Sequence, residues 1–206
     1  MKIKVCGMKY PDNIKQIANL PIDYMGMIFY AKSPRFVDQQ DEILSMPLSS
    51  NILKVGVFVD ADIEYIKQAA QDYNLNFAQL HGNESPLFCK EVNSFLPVIK
   101  AFSVAEIKDL NKTKDYEGVC DYFLFDTKTP QHGGSGQKFD WHILDAYTGN
   151  TPFLLSGGIS AEDAQAIKKI QHTRFAGIDL NSKFETEPGL KDIDLLTTFI
   201  KALDNE

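Results

Sequence analysis

A thiol and a carboxyl group, each carried to the end of an apolar run, are the side chains of this sequence best suited to chemistry. Asp126 falls in Leu124-Phe125-Asp126-Thr127-Lys128-Thr129-Pro130, where it ends a strand and meets the Gly-rich segment Gly133-Gly134-Ser135-Gly136. Near the N-terminus the strand Ile3-Lys4-Val5 delivers Cys6 straight into Gly7. In a repeating β/α protein such strand ends converge on one face, where active sites are built. A thiol and a carboxyl facing one small molecule make a base and acid pair. The thiol needs help in that role, because a free cysteine is mostly protonated at neutral pH. The plainer alternative is that Cys6 is a small buried hydrophobe, as most free cysteines are.

A second group of residues suits an anion. Ser156-Gly157-Gly158-Ile159-Ser160 follows one apolar run and opens a helical pattern, and Asn181-Ser182 follows the next. Glycines at Gly157 and Gly158 let backbone N–H groups approach a ligand closely, as phosphate sites require. Arg35, in Ser33-Pro34-Arg35-Phe36, has the planar fork that grips a carboxylate in two parallel hydrogen bonds, or it is a solvated surface arginine. His81, beside Gly82 and two residues after Gln79, is placed to touch a substrate or to be satisfied by its neighbours. Gly133 and Gly134 match neither the nucleotide P-loop nor the dinucleotide fingerprint. They read instead as part of a loop that closes over a substrate and excludes water. Asp179 falls late in a strand and is assigned no chemistry.

The elements that must position these groups repeat along the chain. Val/Ile/Phe-rich runs occur at 2–5, 24–29, 53–59, 77–80, 98–101, 122–125, 153–155 and 175–180. Their spacing of roughly 20 to 30 residues is that of one strand, loop, helix and loop unit. Several runs, such as Val55-Gly56-Val57-Phe58-Val59, are continuously apolar, which suits parallel strands covered on both faces. Between them Ile63, Ile66, Ala69 and Ala70, and likewise Ala164, Ile167 and Ile170, recur at helical spacing. Pro11-Asp12, Asp60-Ala61-Asp62, Ser103 before Glu106, and Ser160-Ala161-Glu162-Asp163 supply helix-start chemistry. Eight such units point to an α/β fold, a (β/α)8 TIM barrel occupying residues 1–206 as a single domain. An open doubly wound sheet is the architectural alternative, since period alone does not show closure.

Bulk properties restrict partners and compartment. With 206 residues, 44% hydrophobic and 24% charged, the chain has ordinary globular composition. A formal net charge of -7 argues against nucleic acid, which calls for a basic face. No signal-like segment and no apolar run near the roughly 18 residues of a membrane span is present, so a cytoplasmic protein is expected. Cys6, Cys89 and Cys120 lie far apart without CxxC or His spacing, so reduced thiols and no metal site are expected. Monomer and homodimer are both compatible with the sequence.

Taken together, the motifs resemble the phosphoribosylanthranilate isomerase family from end to end. The stretches are Lys4-Val5-Cys6-Gly7-Met8, Ser33-Pro34-Arg35-Phe36, Val55-Gly56-Val57-Phe58-Val59, Gln79-Leu80-His81-Gly82, Phe125-Asp126-Thr127-Lys128 with Gly133-Gly134-Ser135-Gly136, Leu155-Ser156-Gly157-Gly158-Ile159, and Asp179-Leu180-Asn181-Ser182 leading to Glu185, Pro188-Gly189 and Lys191-Asp192. Each is weak alone; their order makes the match specific. The resemblance implies a barrel that carries out an Amadori rearrangement of N-(5-phosphoribosyl)anthranilate, a phosphorylated small molecule of tryptophan biosynthesis. It implies Cys6 as general base, Asp126 as general acid and Arg35 as the holder of the anthranilate carboxylate. It also implies no cofactor, because the substrate's own nitrogen is the electron sink. The chain departs from the family at Asn181-Ser182-Lys183, where small residues and a glycine are expected. Competing readings are a ribulose-phosphate epimerase or histidine-pathway barrel, or a catalytically silent phosphate-binding module.

Overall fold

The computed structural model describes residues 1–37, 51–127 and 140–204. Eight parallel strands close into a barrel in sequential order: β1 (Lys2–Val5), β2 (Tyr24–Ile28), β3 (Leu53–Phe58), β4 (Phe77–Leu80), β5 (Val98–Val104), β6 (Tyr122–Thr127), β7 (Phe153–Leu155) and β8 (Phe175–Leu180). Closure comes from β1 pairing with β8, with Lys4 opposite Asp179. The closed sheet disposes of the open, doubly wound alternative. Two strands run further than the apolar runs that announce them. β5 and β6 stay paired through Ser103↔Asp126 and Val104↔Thr127, so Asp126 is held by sheet hydrogen bonding and is not at the start of a loop.

The barrel is filled by side chains. Tyr24, Val55, Ile99, Ala101, Leu124 and Leu154 form an apolar plug inside it. At its N-terminal end the first residues of three alternate strands, Tyr24, Phe77 and Tyr122, meet edge to face with ring centroids 5.7 to 6.5 Å apart. Such layers from alternate strands are how a small barrel fills its axis. A larger apolar shell outside the strands, including Phe58, Phe123, Phe125 and Phe153, is covered by the helices.

Helix starts follow local chemistry. In α1 (Pro11–Ile17), Pro11 occupies the first turn, and Ile14 and Ile17 point into the shell. α2 (Ile63–Tyr73) is capped by Asp62, whose carboxylate accepts from the Tyr65 N–H at 2.7 Å, and it ends at Asn74 in the left-handed region. Ser85 caps α3 (Pro86–Asn93) in the same way. After β5 the expected start at Ser103 gives way to a later one, because Ser103 belongs to the strand. Glu106 and Asp109 form the capping box there.

The connections after β5 and β6 are 3₁₀-helical, over Ile107–Tyr116 and Trp141–Ala146. In the first, side chains compete for the backbone: Thr113 Oγ1 donates back to the Leu110 carbonyl at 2.7 Å, and the Asp109 carboxylate is spent on the Ala105 and Glu106 N–H groups. A 3₁₀ turn, Ala161–Asp163, leads into the short α4 (Ala164–Lys168), and α5 (Ile193–Asp204) closes the outer layer. An antiparallel pair, β9 (Glu185–Glu187) and β10 (Leu190–Lys191), follows β8. Asn13 of α1 ties down its second strand, donating to the Lys191 carbonyl at 3.0 Å and accepting from the Lys191 N–H at 2.8 Å. No helix among the described residues is long and apolar enough to cross a membrane.

Candidate active site

Cys6 stands immediately after β1, its N–H donating to the Leu180 carbonyl at 2.8 Å, so the ladder to β8 continues through it. Strand alternation puts Lys4 and Cys6 on the same face. The Cys6 side chain is buried at 3% exposure, and Gly26 of β2 makes the room: a Cβ on Gly26 would lie 2.7 Å from the sulfur. Gly7, at φ +78°, then turns the chain away between Arg35 and Asn181, each of which a Cβ there would meet at 2.7 Å.

Beneath the sulfur lies a buried ion pair. The Lys4 ammonium, fully inaccessible, donates to Asp179 Oδ1 at 2.8 Å, and Ser156 Oγ donates to the other carboxylate oxygen at 3.2 Å. Lys4 and Cys6, on the same strand face, also act on each other electrostatically. Burial pushes the Cys6 thiol above its ordinary value; Lys4 pulls the other way, Asp179 adds to the rise and Lys191 opposes it, with a net upward shift. For Lys4 burial works downward, but Asp179 and Cys6 outweigh it and the ammonium is held above its usual range.

Asp126 is 8% exposed at the end of β6. Oδ1 accepts from the Thr127 N–H at 2.8 Å, and Oδ2 lies 3.3 Å from His81 Nε2. The other ring nitrogen of His81 is 3.0 Å from Gln79 Nε2. Gln79 thus holds the imidazole at one nitrogen and Asp126 faces it at the other. Gly157, at φ +87°, packs onto the same carboxylate from β7: a Cβ there would lie 2.8 Å from Asp126 Oδ1 and 2.3 Å from Thr127 Oγ1. His81, Asp126, Gly157, Ser156, Asp179, Lys4 and Cys6 thus form one chain of contacts around the rim.

Arg35 faces a carboxylate, and in this structure that carboxylate is Glu185. Nε lies 2.9 and 3.0 Å from its two oxygens and Nη2 2.6 Å from Oε2. Lys191, fully buried at its side chain, donates to Glu185 Oε1 at 2.6 Å and to Asn181 Oδ1 at 2.8 Å. Burial opposes the Glu185 charge, but Arg35 and Lys191 outweigh it and hold the carboxyl below its usual range. Lys191 is itself pulled below its usual range by burial, despite Glu185. The Asn181 side-chain oxygen is therefore engaged by Lys191.

Gly157 and Gly158 both have positive φ, at +87° and +69°, and turn the chain into a Ser160–Asp163 capping box. Ser182 opens a single 3₁₀ turn, Ser182–Phe184, and Lys183 is exposed. The neighbouring strands β7 and β8 thus bring Gly157, Gly158, Asn181 and Ser182 to one rim. Gly133 and Gly134 lie outside the described residues. Among the described residues no group of three or more His, Cys, Asp or Glu side chains could hold a metal ion, and all three cysteines are free.

Sequence reasoning passed over Lys4, Gly26 and the Glu185–Lys191 pair as parts of the site. A lysine inside an apolar strand, two residues before Cys6, was the available signal for the first. A glycine in the interior of β2 was the signal for the second, since such glycines mark close approach of another group.

The model of the family described as N-(5'phosphoribosyl)anthranilate (PRA) isomerase matches residues 3–202. An N-(5'-phosphoribosyl)anthranilate isomerase of Parabacteroides distasonis is 53% identical, over 98% of this chain and 93% of that protein. Among solved structures, phosphoribosyl anthranilate isomerase from Thermus thermophilus superposes with a TM-score of 0.87 at 25% identity, covering 99% of this chain and 98% of that one. A phosphoribosyl anthranilate isomerase in complex with reduced 1-(o-carboxyphenylamino)-1-deoxyribulose 5-phosphate gives a TM-score of 0.83 at 28% identity, covering the same shares.

Proposed function

The chain belongs to the N-(5'-phosphoribosyl)anthranilate isomerase family, and from that premise we propose that Cys6 is the base and Asp126 the acid of its Amadori rearrangement. The enzyme converts N-(5'-phosphoribosyl)anthranilate into 1-(2-carboxyphenylamino)-1-deoxyribulose 5-phosphate, a step of tryptophan biosynthesis. The observation that carries the residue assignment is the placement of Cys6 and Asp126 at the C-terminal ends of β1 and β6, on the same rim of the barrel.

Ring opening begins with a proton from the Asp126 carboxyl to the ribose ring oxygen, as the anthranilate nitrogen pushes electrons toward C1. The C1–O bond breaks and a protonated Schiff base forms. That cation acidifies the C2 hydrogen, and the Cys6 thiolate removes it. The C2–H electron pair becomes the C1–C2 double bond, the iminium electrons return to nitrogen, and the enolamine tautomerises to the ketone. Asp126 is oriented for its task by Thr127 and His81.

Arg35, oriented by Glu185 through Nε and Nη2, presents the remainder of its guanidinium to the anthranilate carboxylate. Gly157, Gly158, Asn181 and Ser182 receive the phosphate through backbone N–H groups at the adjoining ends of β7 and β8. His81 lines the site beside Asp126. Residues 1–206 act as one barrel unit in the cytoplasm, as a monomer or a homodimer.

The test is the fluorescence change when purified protein meets freshly prepared phosphoribosylanthranilate, run beside Cys6→Ser and Asp126→Asn. Wild-type turnover with severe slowing in both variants is expected. Full activity in either variant removes that residue from its role.

A further inference from the structure

We propose that Lys4 is a positioning residue for the isomerisation: its buried ammonium, paired with Asp179 on the strand face that also carries Cys6, is the cation that favours the charged form of this sulfur as it takes the substrate's proton. The inference rests on the reading of Cys6 as the base.

Lys4 occupies an interior position of β1, on the barrel axis where apolar side chains fill the neighbouring strands. It is fully buried, and its carboxylate partner Asp179 is 6% exposed. A buried ion pair of this kind is weak evidence for stability, because desolvation consumes most of the attraction and apolar residues of the same volume often serve as well. Its position explains it better. Two residues along a strand advance roughly 6.6 Å, within the reach of an extended lysine stem, so the ammonium arrives at the level of Cys6.

The arrangement leaves the ammonium little freedom. Asp179 Oδ1 accepts from Lys4 at 2.8 Å while Ser156 Oγ holds Oδ2 at 3.2 Å, so the carboxylate cannot swing away. The same ammonium acts on Cys6 electrostatically, and the close approach of Gly26 confines the sulfur. Among the described residues the charged groups that act on Cys6 are Lys4 from β1, Asp179 from β8 and Lys191 from β10, and Gly26 of β2 packs against the sulfur. Lys191 is already committed to Glu185 and Asn181. Lys4 is the largest influence opposing the effect of burial on the thiol.

Burial alone would leave too little thiolate at neutral pH, and a strong free anion would be equally mismatched to the task, since a general base works best near the operating pH. Lys4 favours the thiolate, and Asp179 limits how far. In the step itself the sulfur takes the C2 proton, an S–H bond forms as the C2–H bond breaks, and the electron pair passes through C1 to the iminium nitrogen. Lys4 keeps its proton throughout. Its charge, shared by two anions before the transfer, afterwards faces Asp179 alone.

The experiment is an ultraviolet thiolate titration of the full-length protein, with the curve of Cys6→Ser subtracted to remove Cys89 and Cys120. Lys4→Met should move the Cys6 titration up by about one pH unit or more, and Asp179→Asn should move it down. The pH profile of kcat/KM should follow. At neutral pH Lys4→Met loses at least about tenfold, a one-unit shift in thiolate population, with recovery as pH rises and rescue by Lys4→Arg. A merely structural pair would move both single variants alike, so shifts in the same direction, or no shift in Lys4→Met, overturn the proposal. Where Lys4→Met fails to fold, Lys4→Gln takes its place, and an unshifted Cys6 titration in that variant also overturns the proposal. Failure of the base reading is separate, and shows as full activity in Cys6→Ser whatever the titrations give.

Discussion

His81 and Asp126 face each other across the mouth of the barrel, Nε2 to Oδ2 at 3.3 Å, although they come from strands β4 and β6 that are not neighbours in the sheet. The imidazole is in turn set by Gln79, two residues earlier on the same strand face. A carboxyl group that must give up its proton and recover it each cycle is thereby held at a fixed rotamer. Replacing His81 by Ala should lower kcat/KM by about 100-fold, the low end of what a positioned proton-transfer group contributes. Gln79→Leu, which leaves the ring in place but releases its orientation, should cost less. Steady-state kinetics of both variants against wild type checks the order. Equal losses would mean that the ring contributes nothing beyond what Gln79 fixes.

The Glu185 carboxylate joins Arg35 to Lys191, and its protonation should loosen the rim. Its folded pKa lies below the usual range, held there by Arg35 and Lys191 against the opposing effect of burial. A carboxylate with a lowered folded pKa adds stability that is complete above its unfolded value, about 4.3, and is lost as pH falls through the folded one. Thermal unfolding of wild type should therefore decline with acid below about pH 4.3 more steeply than that of Glu185→Gln. At neutral pH the variant should be less stable by about 1.5–3 kcal/mol, the range for hydrogen bonds to a charged group. Parallel Tm curves for the two proteins across the acid range would rule out the linkage.

All eight strands can be found in the sequence because parallel strands buried on both faces read as continuous apolar runs. Cys6 and Asp126 are equally legible, since each directly follows such a run, and Gly157 and Gly158 stand out as a glycine pair just after the seventh. What escapes is nonlocal. Lys4 and Asp179 are 175 residues apart, and only closure of β1 onto β8 makes them partners. Ser103 has the composition of a helix cap, yet pairing with β6 keeps it in the sheet and passes the capping role to Glu106. The 3₁₀ winding after β5 depends on where Thr113 and Asp109 send their hydrogen bonds, a choice that local apolar spacing does not record. Glu185 and Lys191 sit on strands too short to leave a period, so their meeting with Arg35 is visible only in three dimensions.

Gly157 offers a test that separates backbone strain from crowding of the acid. It and Gly118 both have positive φ, +87° and +76°, a range that L side chains rarely adopt. Their surroundings differ. A Cβ on Gly118 would meet nothing within 4 Å, whereas one on Gly157 would lie 2.3 Å from Thr127 Oγ1, 2.5 Å from the Thr127 nitrogen and 2.8 Å from Asp126 Oδ1. Gly118→Ala should therefore cost only the strain of the left-handed backbone, about 1 kcal/mol, with kcat unchanged. Gly157→Ala should cost about 1–3 kcal/mol more, because backbone atoms of β6 must shift. It should also lower kcat by tenfold or more, on the order expected when a catalytic group is displaced by a fraction of an ångström. Urea unfolding gives the first comparison and single-turnover kinetics the second. If Gly157→Ala keeps wild-type kcat while losing stability, then the glycine serves only the turn, and the fit of β7 against Asp126 has no part in catalysis.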